Sequence, residues 1–335
     1  MGKQSGWIVI VGGIIVVIVL IFIHSYSAKD VAEERLKPTA LIRVGVQDNP
    51  ISAMIVIAAV HHLFHKQHID VQLVLYPSGK RGLEAMLKGQ VSITAASDVP
   101  ILIHTFNHPN LSIIGTIAIG DSLARMVVRK GRGITTPRQL MGHRIVTQEY
   151  SDIDYYTYLF LQYYHIPVKS VILIYMPIVK LVQALRSGYA DAAVVRSPYT
   201  QQAQRILPGQ LIFFHVPHIY KQHFNLVTTK NFIKNSPHKI HQFMLAMNDA
   251  SKYMQANPKQ AERDVIHFFG LARRTEIIAL WNNYQFKLTF DGQLVPTLKR
   301  QAAWAIKYGK VTSTTVPDFE GLIDKAPLEW AQAHQ

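Results

Sequence analysis

The sequence predicts an α/β protein of two lobes behind a membrane-spanning N-terminal helix. Three observations carry this expectation: an unbroken apolar run near the start, an alternation of short β-rich runs with helical ones from residue 41 onward, and one strand–loop plan that recurs in two halves of the chain.

The 335 residues allow two packed domains, and an apolar share of 49% supplies ample core material, which excludes wholesale disorder. The chain has no cysteine, so it forms no disulfide, thiolate metal site, iron–sulfur cluster or cysteine nucleophile. Its 35 Lys+Arg against 21 Asp+Glu leave a net charge of +14, which invites a nucleic-acid reading. Trp7 to Ile23 (WIVIVGGIIVVIVLIFI) is apolar or glycine throughout, and Lys3 is the one charged side chain before it. At about 1.5 Å per residue the run spans roughly 25 Å, near the lower limit for a bilayer and longer than most signal-peptide cores. Ser25-Tyr26-Ser27 before Ala28 is a passable cleavage site, so an uncleaved anchor and a cleaved signal both stay open. No cysteine follows the run, which excludes a lipoprotein anchor. The short positive end staying inside places the rest of the chain outside the cytoplasmic membrane, away from nucleic acid. Residues 24–40 are polar and read as a tether.

Leu41 to Val46 reads as a strand closed by Gln47-Asp48-Asn49-Pro50, and Ser52 to Gln67 as one helix. Asp70 to Tyr76 alternates as a strand, Gly82 to Lys88 is a helix stopped by Gly89, and Val91 to Ala95 is a small-residue strand ahead of a helix opened by Asp98-Val99-Pro100. Leu111 to Ile119 is a further strand. A second set follows. Met126 to Arg129 is a strand, Thr136-Pro137 opens a short helix, His143 to Thr147 is a strand, and Ile153 to Tyr164 a long helix. Ser170 to Tyr175, Ala190 to Val195 and Leu211 to Val216 are strands, separated by helices at Ile178 to Arg186 and Pro198 to Ile206. From Pro237 the pattern is mostly helical. Leu87-Lys88-Gly89 before Val91–Ser97 and Leu185-Arg186-Ser187-Gly188 before Ala190–Val195 repeat one design, a helix end followed by a buried strand that delivers a polar loop. Ligands of open α/β sheets sit at such strand ends, so two lobes of this design imply a cleft.

Four stretches then resemble a known family: VGVQDNPISAMIVIAAVHHLFHKQHIDVQLV, PSGKRGLEAMLKGQVSITAASDVPILI, ITTPRQLMGHRIVTQEYSDIDYYTYLFLQYYHIPVKSVILIYMPIVKLVQALRSGYADAAVVRSPY, and NFIKNSPHKIHQFMLAMNDASKYMQANPKQA. In order and spacing they are similar to the periplasmic solute-binding proteins of ABC transporters, of the nitrate/sulfonate/taurine and thiamine-pyrimidine-precursor type. The resemblance implies a type II periplasmic binding protein fold, with lobe 1 at 41–121 plus 228–335, lobe 2 at 122–227, and residues 1–40 as signal anchor and tether. Crossings would lie near Asp121 to Arg125 and near Phe224 to Thr229. It also implies a monomer that closes on a small organic solute and hands it to a permease driven by an ATPase. Such a protein would sit on the periplasmic side of the inner membrane, with no cofactor and no nucleic acid as partner. A membrane-anchored sensor and a binder of a pyrimidine precursor are the alternatives. An enzyme is disfavoured, because the chain has no GxSxG, Walker or HExxH motif and lacks the cysteine-rich metal motif of related synthases.

The site candidates follow the expected strand ends. Asn49 is a ligand contact or a turn residue. Ser78 and Gly79 present hydroxyl and N–H to solute or cap a helix. Ser97 and Asp98 end the small-residue strand at the cleft. Asp121 and Ser122 line the cleft or turn the chain. Tyr150, Ser151 and Asp152 lie in QEYSDID, whose carboxylates Glu149, Asp152 and Asp154 complement a helix dipole and repel a bare anion such as nitrate. Tyr150, Tyr155 and Tyr156 offer aromatic walls. Arg196 and Tyr199 stand in Arg-Ser-Pro-Tyr, where the family commonly shows Trp-Glu-Pro-Tyr; Arg196 grips a sulfonate or bridges the lobes. Arg196 with the acidic loop suits a zwitterion such as taurine. His61, His65 and His68 share a face if the first helix is continuous, which is zinc-like spacing, although histidines also suit a helix C-terminus.

Overall fold

The computed structural model describes residues 41–47, 49–121 and 123–334. The apolar run and the tether lie outside them, and among the described residues no helix is long and apolar enough to cross a membrane.

The chain begins with β1 (Ile42–Gln47), a 3-10 turn at Pro50–Ser52, α1 (Ala53–Val60) and α2 (Leu63–Lys66). Then come β2 (Val71–Tyr76), α3 (Gly79–Leu87), β3 (Ile93–Ser97), α4 (Asp98–Thr105) and the long β4 (Leu111–Asp121). The middle of the chain holds β5 (Ala124–Arg129), β6 (Arg144–Thr147), α5 (Asp152–Tyr163), β7 (Ile172–Tyr175), α6 (Ile178–Ser187), β8 (Ala192–Arg196), α7 (Tyr199–Ile206) and β9 (Leu211–Phe214). It closes with β10 (Lys221–Thr229), α8 (Lys230–Asn235), α9 (Pro237–Ala256), α10 (Pro258–Phe269), α11 (Arg274–Trp281), β11 (Tyr284–Thr289), α12 (Leu294–Lys307) and α13 (Ala326–Ala333).

Two sheets result, in the orders β11-β4-β10-β3-β1-β2 and β7-β6-β8-β5-β9. Within the first, β1 runs parallel to β2 and β3; within the second, β6 runs parallel to β7 and β8. β3 is wholly enclosed and β1 nearly so, which explains their mostly small and apolar residues, whereas β2 at the edge is only partly covered and exposes Gln72 and Leu75. Helix α3 approaches the first sheet so closely that a Cβ on Gly79 would lie 2.8 Å from Gln47 Nε2 and 3.0 Å from Ala96 Cα.

The chain passes between sheets twice, after Asp121 and between Phe214 and Lys221. This differs from the sequence expectation, which put the return near Phe224 to Thr229 and residues 221–227 in lobe 2. All of β10 pairs in the first sheet, antiparallel to β4 from Lys221↔Asp121 to Thr229↔Leu111. The strand is hard to read because it buries Gln222, His223, Asn225 and Thr228; three of these have long-range partners, as Thr116 Oγ1 donates to Asn225 Oδ1 at 2.7 Å, His223 Nε2 meets Asp291 at 3.1 Å and Thr228 Oγ1 donates to the Ser92 carbonyl at 2.8 Å.

The expected continuous helix at Ser52 to Gln67 is also broken. His62 takes a left-handed conformation (φ 54°), separating α1 from α2. His61 turns instead to α10, with Nε2 2.9 Å from Asp264 Oδ2 and its ring tilted on Tyr253 at 4.1 Å. The shared face that would have aligned His61, His65 and His68 is therefore not formed. Among the described residues no group of three His, Cys, Asp or Glu is arranged to hold a metal ion.

Asp191, the acidic residue of the Gly-Tyr-Ala-Asp-Ala-Ala stretch, is structural. It precedes β8 and takes Arg144 in a fork, Nη2 to Oδ1 at 3.0 Å and Nε to Oδ2 at 3.1 Å, with Arg132 and His143 alongside. Burial alone would raise its carboxyl, but the Arg144 hydrogen bonds and the two guanidinium charges hold it down at about 2. A carboxyl depressed in the folded state contributes stability that is complete above its ordinary value near 3.8 and is lost as pH falls toward 2. Asp191→Asn should therefore lower the urea midpoint strongly at pH 7 and much less at pH 2.5. An equal drop at both pH values would contradict this role.

Candidate functional site

Loops at the carboxyl ends of strands from both sheets meet across a cleft of about 360 Å³. The first-sheet wall is Pro77, Ser78, Lys80 and Arg81, from the turn after β2 and the first turn of α3. The second-sheet wall is Gln148 and Glu149 after β6, and Tyr175, Met176, Pro177, Ile178 and Val179 after β7. Ser78 caps α3, its hydroxyl accepting from Arg81 N at 3.3 Å. Gln148 Oε1 accepts from Ile178 N at 3.0 Å, which fixes the start of α6 against the loop after β6. Lys80 reaches over the cleft: its ammonium donates to the Glu149 carbonyl at 3.1 Å and lies 5.1 Å from the centre of the Tyr150 ring. Burial lowers the proton affinity of Lys80, partly offset by Glu84 and Glu149. Arg81 is shared with Glu84 at 2.6 Å.

The loop Gln148 to Asp154 is built as a helix start. Ser151 caps α5, accepting from Asp154 N at 3.4 Å and donating to the Gln148 carbonyl at 2.5 Å. Tyr150 has a positive φ of 58°, and its N–H donates to Asp154 Oδ2 at 3.0 Å. Asp152, in the first turn of α5, meets Arg196 at the end of β8, Nε to Oδ2 at 3.0 Å, with both side chains about nine-tenths buried. Both residues belong to the second sheet's layer, so this pair does not bridge the lobes, and Arg196 is not a wall of the cleft.

The other predicted residues are dispersed. Asn49 caps the 3-10 turn, its Oδ1 accepting from Ile51 N at 3.1 Å. Ser97 ends β3 in a buried position. Asp98 is fully buried and accepts from Val99 N at 2.9 Å, from His223 N at 3.2 Å and from the Tyr220 hydroxyl. Asp121 pairs with His218 at 2.6 Å beside the return between sheets. Tyr199 opens α7 and packs on the second core, and Ser122 lies outside the described residues. Tyr155 stacks edge-on against Tyr220 and Trp304, while Tyr156 is enclosed in the second core.

Sequence reasoning did not single out Lys80, Gln148, Tyr175 or Lys310. Lys310 follows α12 and is 7% exposed. Its ammonium lies 3.1 Å from Asp154 Oδ2 and 3.4 Å from Glu149 Oε1, and donates to the Tyr175 hydroxyl at 2.8 Å. Burial, the largest influence on Asp154, pushes its carboxyl up to about 6 despite the neighbouring ammonium. Burial works against the Lys310 charge as well, yet Asp154, Tyr158 and Glu149 together carry its proton affinity above the ordinary value. A local signal existed on one side only: Asp154 and Tyr158 are four residues apart and share a face of α5.

Two mixed sheets joined by two short connections, with a cleft between their strand-end loops, define the class of two-lobed α/β binding folds seen in periplasmic binding proteins. The chain belongs to the NMT1/THI5-like family, whose model matches residues 49–261. Solved structures agree on the fold. The alkanesulfonate-binding protein SsuA from Xanthomonas axonopodis pv. citri, bound to MOPS, is 16% identical with a TM-score of 0.71, over 85% of this chain and 98% of that one. The periplasmic aliphatic sulphonate-binding protein SsuA from Escherichia coli is 17% identical with a TM-score of 0.69, over 86% and 93%. The zinc-bound ligand-binding component of an ABC-type import system from Staphylococcus aureus is 12% identical with a TM-score of 0.68, over 87% and 98%. No curated protein matches the chain in a sequence search.

Proposed function

We propose that this chain is the extracytoplasmic solute-binding component of an ABC importer and that it takes a small aliphatic sulfonate of the taurine type in its interlobe cleft, without catalysing a reaction. The observation that carries this reading is the make-up of the cleft. Lys80 and Arg81 place positive charge on one wall, Met176, Pro177, Ile178 and Val179 form an apolar wall opposite, and Glu149 adds a carboxylate. A sulfonate head suits the cations and the N–H groups at the start of α3, an alkyl body suits the apolar wall, and a terminal amine suits Glu149. The sulfonate-binding descriptions of the similar structures support the same class of solute. The lobes close about the connections after Asp121 and before Lys221, and the closed monomer is presented to a permease and its ATPase. The apolar run Trp7–Ile23 holds it at the outer face of the inner membrane or is cleaved to release it.

A thermal-shift panel of taurine, ethanesulfonate, nitrate, pyrimidines and polyamines tests the reading. A true ligand at about 100 times its Kd stabilises by about 2.7 kcal/mol. Taurine or ethanesulfonate should raise the melting temperature and nitrate should not. A response to pyrimidines alone would overturn the sulfonate assignment.

A further inference from the structure

The second sheet's layer holds five groups around one point, and the solute reading uses only one of them, Glu149. Glu149 and Tyr150 come from the loop after β6, Asp154 and Tyr158 from one face of α5, and Tyr175 from the end of β7. At that point sits the ammonium of Lys310. The ring centres of Tyr175, Tyr158 and Tyr150 lie 4.0, 5.6 and 5.8 Å from it, and Asp154, Glu149 and the Tyr175 hydroxyl surround it at 3.1, 3.4 and 2.8 Å. Aromatic faces combined with carboxylates are what desolvated ammonium groups select. Three oxygen acceptors match the three N–H donors of a primary ammonium, which a quaternary one lacks. Asp154 Oδ1, on a side chain with no solvent exposure, is a further acceptor that has no hydrogen-bond partner.

The cation comes from the other layer. Helix α12 packs on α4 beside the first sheet and ends in a left-handed turn at Gly309 (φ 63°). Gly309 N donates to the Ile306 carbonyl at 3.2 Å and Lys310 N to the Ala305 carbonyl at 2.8 Å, the paired bonds that close a Schellman end and aim the next residue.

We propose that the second lobe carries a binding site for a primary organic ammonium group and that Lys310 of the first lobe is its tethered occupant, latching the two lobes together. Tethering gives Lys310 a high effective concentration, so a free amine enters only when the lysine is gone.

The test is chemical rescue. In the full chain, Lys310→Ala lowers the melting temperature, and n-butylammonium chloride restores it saturably, well beyond sodium chloride at the same ionic strength. Tetramethylammonium restores it less, and neither salt moves the wild type. The double variant Lys310→Ala/Asp154→Asn shows no such rescue. Equal responses from the single and double variants, or no rescue at all, would overturn the site. A second measurement leaves Lys310 in place: its reductive methylation should run at least tenfold faster in Asp154→Asn than in wild type, and equal rates would count against the latch. Neither measurement involves a sulfonate, so failure here and failure of the solute reading are separable.

Discussion

Lys310→Met should cost about 3–5 kcal/mol of stability at pH 8, because it strips the cation from Asp154, whose side chain is wholly enclosed. The methionine keeps the stem's apolar volume, so the loss reports the charge rather than a cavity. The loss should shrink in acid, and the sign follows from the carboxyl. Asp154 in the folded chain sits at about 6, above its ordinary value of 3.8. A group raised in this way contributes stability that is complete below about pH 4 and disappears as pH rises through about 6. Without Lys310 the carboxyl rises further, so the variant pays most where wild-type Asp154 is ionised. Urea unfolding of both chains at pH 5 and pH 8 checks this: the gap should be clearly wider at pH 8, and a gap independent of pH would mean that the lysine acts by packing alone.

Arg196→Ala should produce a loss of similar size, about 3–5 kcal/mol, for the same reason on a different pair. Asp152 would be left about nine-tenths buried with its 3.0 Å partner removed. Removing both charges is expected to be far milder: Arg196→Met/Asp152→Leu should recover most of the loss, since a buried ion pair is worth little against well-packed apolar groups. Chemical unfolding followed by tryptophan fluorescence and by far-ultraviolet dichroism measures all three chains. A double variant as unstable as Arg196→Ala would show that the arginine has another essential partner.

These two pairs mark how far the sequence could be read. Parallel strands such as β1 and β3 announce themselves, because burial on both faces favours small and apolar residues at most positions. Caps are legible in part: Ser78 reads as a solute contact or a helix cap and does cap α3, whereas Asn49 reads as a ligand contact or turn residue and Ser151 as part of the acidic loop, and these two also prove to cap helical turns. β10 escaped notice because a central strand carrying His223 and Asn225 looks like a loop until Asp98, Asp291 and Thr116 are in place to satisfy them. β11 does alternate along Tyr-Gln-Phe-Lys-Leu-Thr, and that pattern was overshadowed by the helices around it. The sequence marks Arg196 and Asp152 each as a site candidate, but not their pairing, since they lie 44 positions apart. Lys310 is 156 residues from Asp154, and nothing local distinguishes it from other lysines of a basic chain. Lys80 and Lys310 both reach the loop that carries the acidic residues.

The central claim is that the cleft binds an organic sulfonate through its first-lobe cations. Calorimetric titration of taurine into the full chain and into its Lys80→Ala variant tests it most directly. A charge-assisted hydrogen bond contributes about 1.5–3 kcal/mol, so the account predicts one site in the wild type and about 10–150-fold weaker binding in the variant. Wild-type heats indistinguishable from dilution, or equal affinity in the two chains, would contradict it.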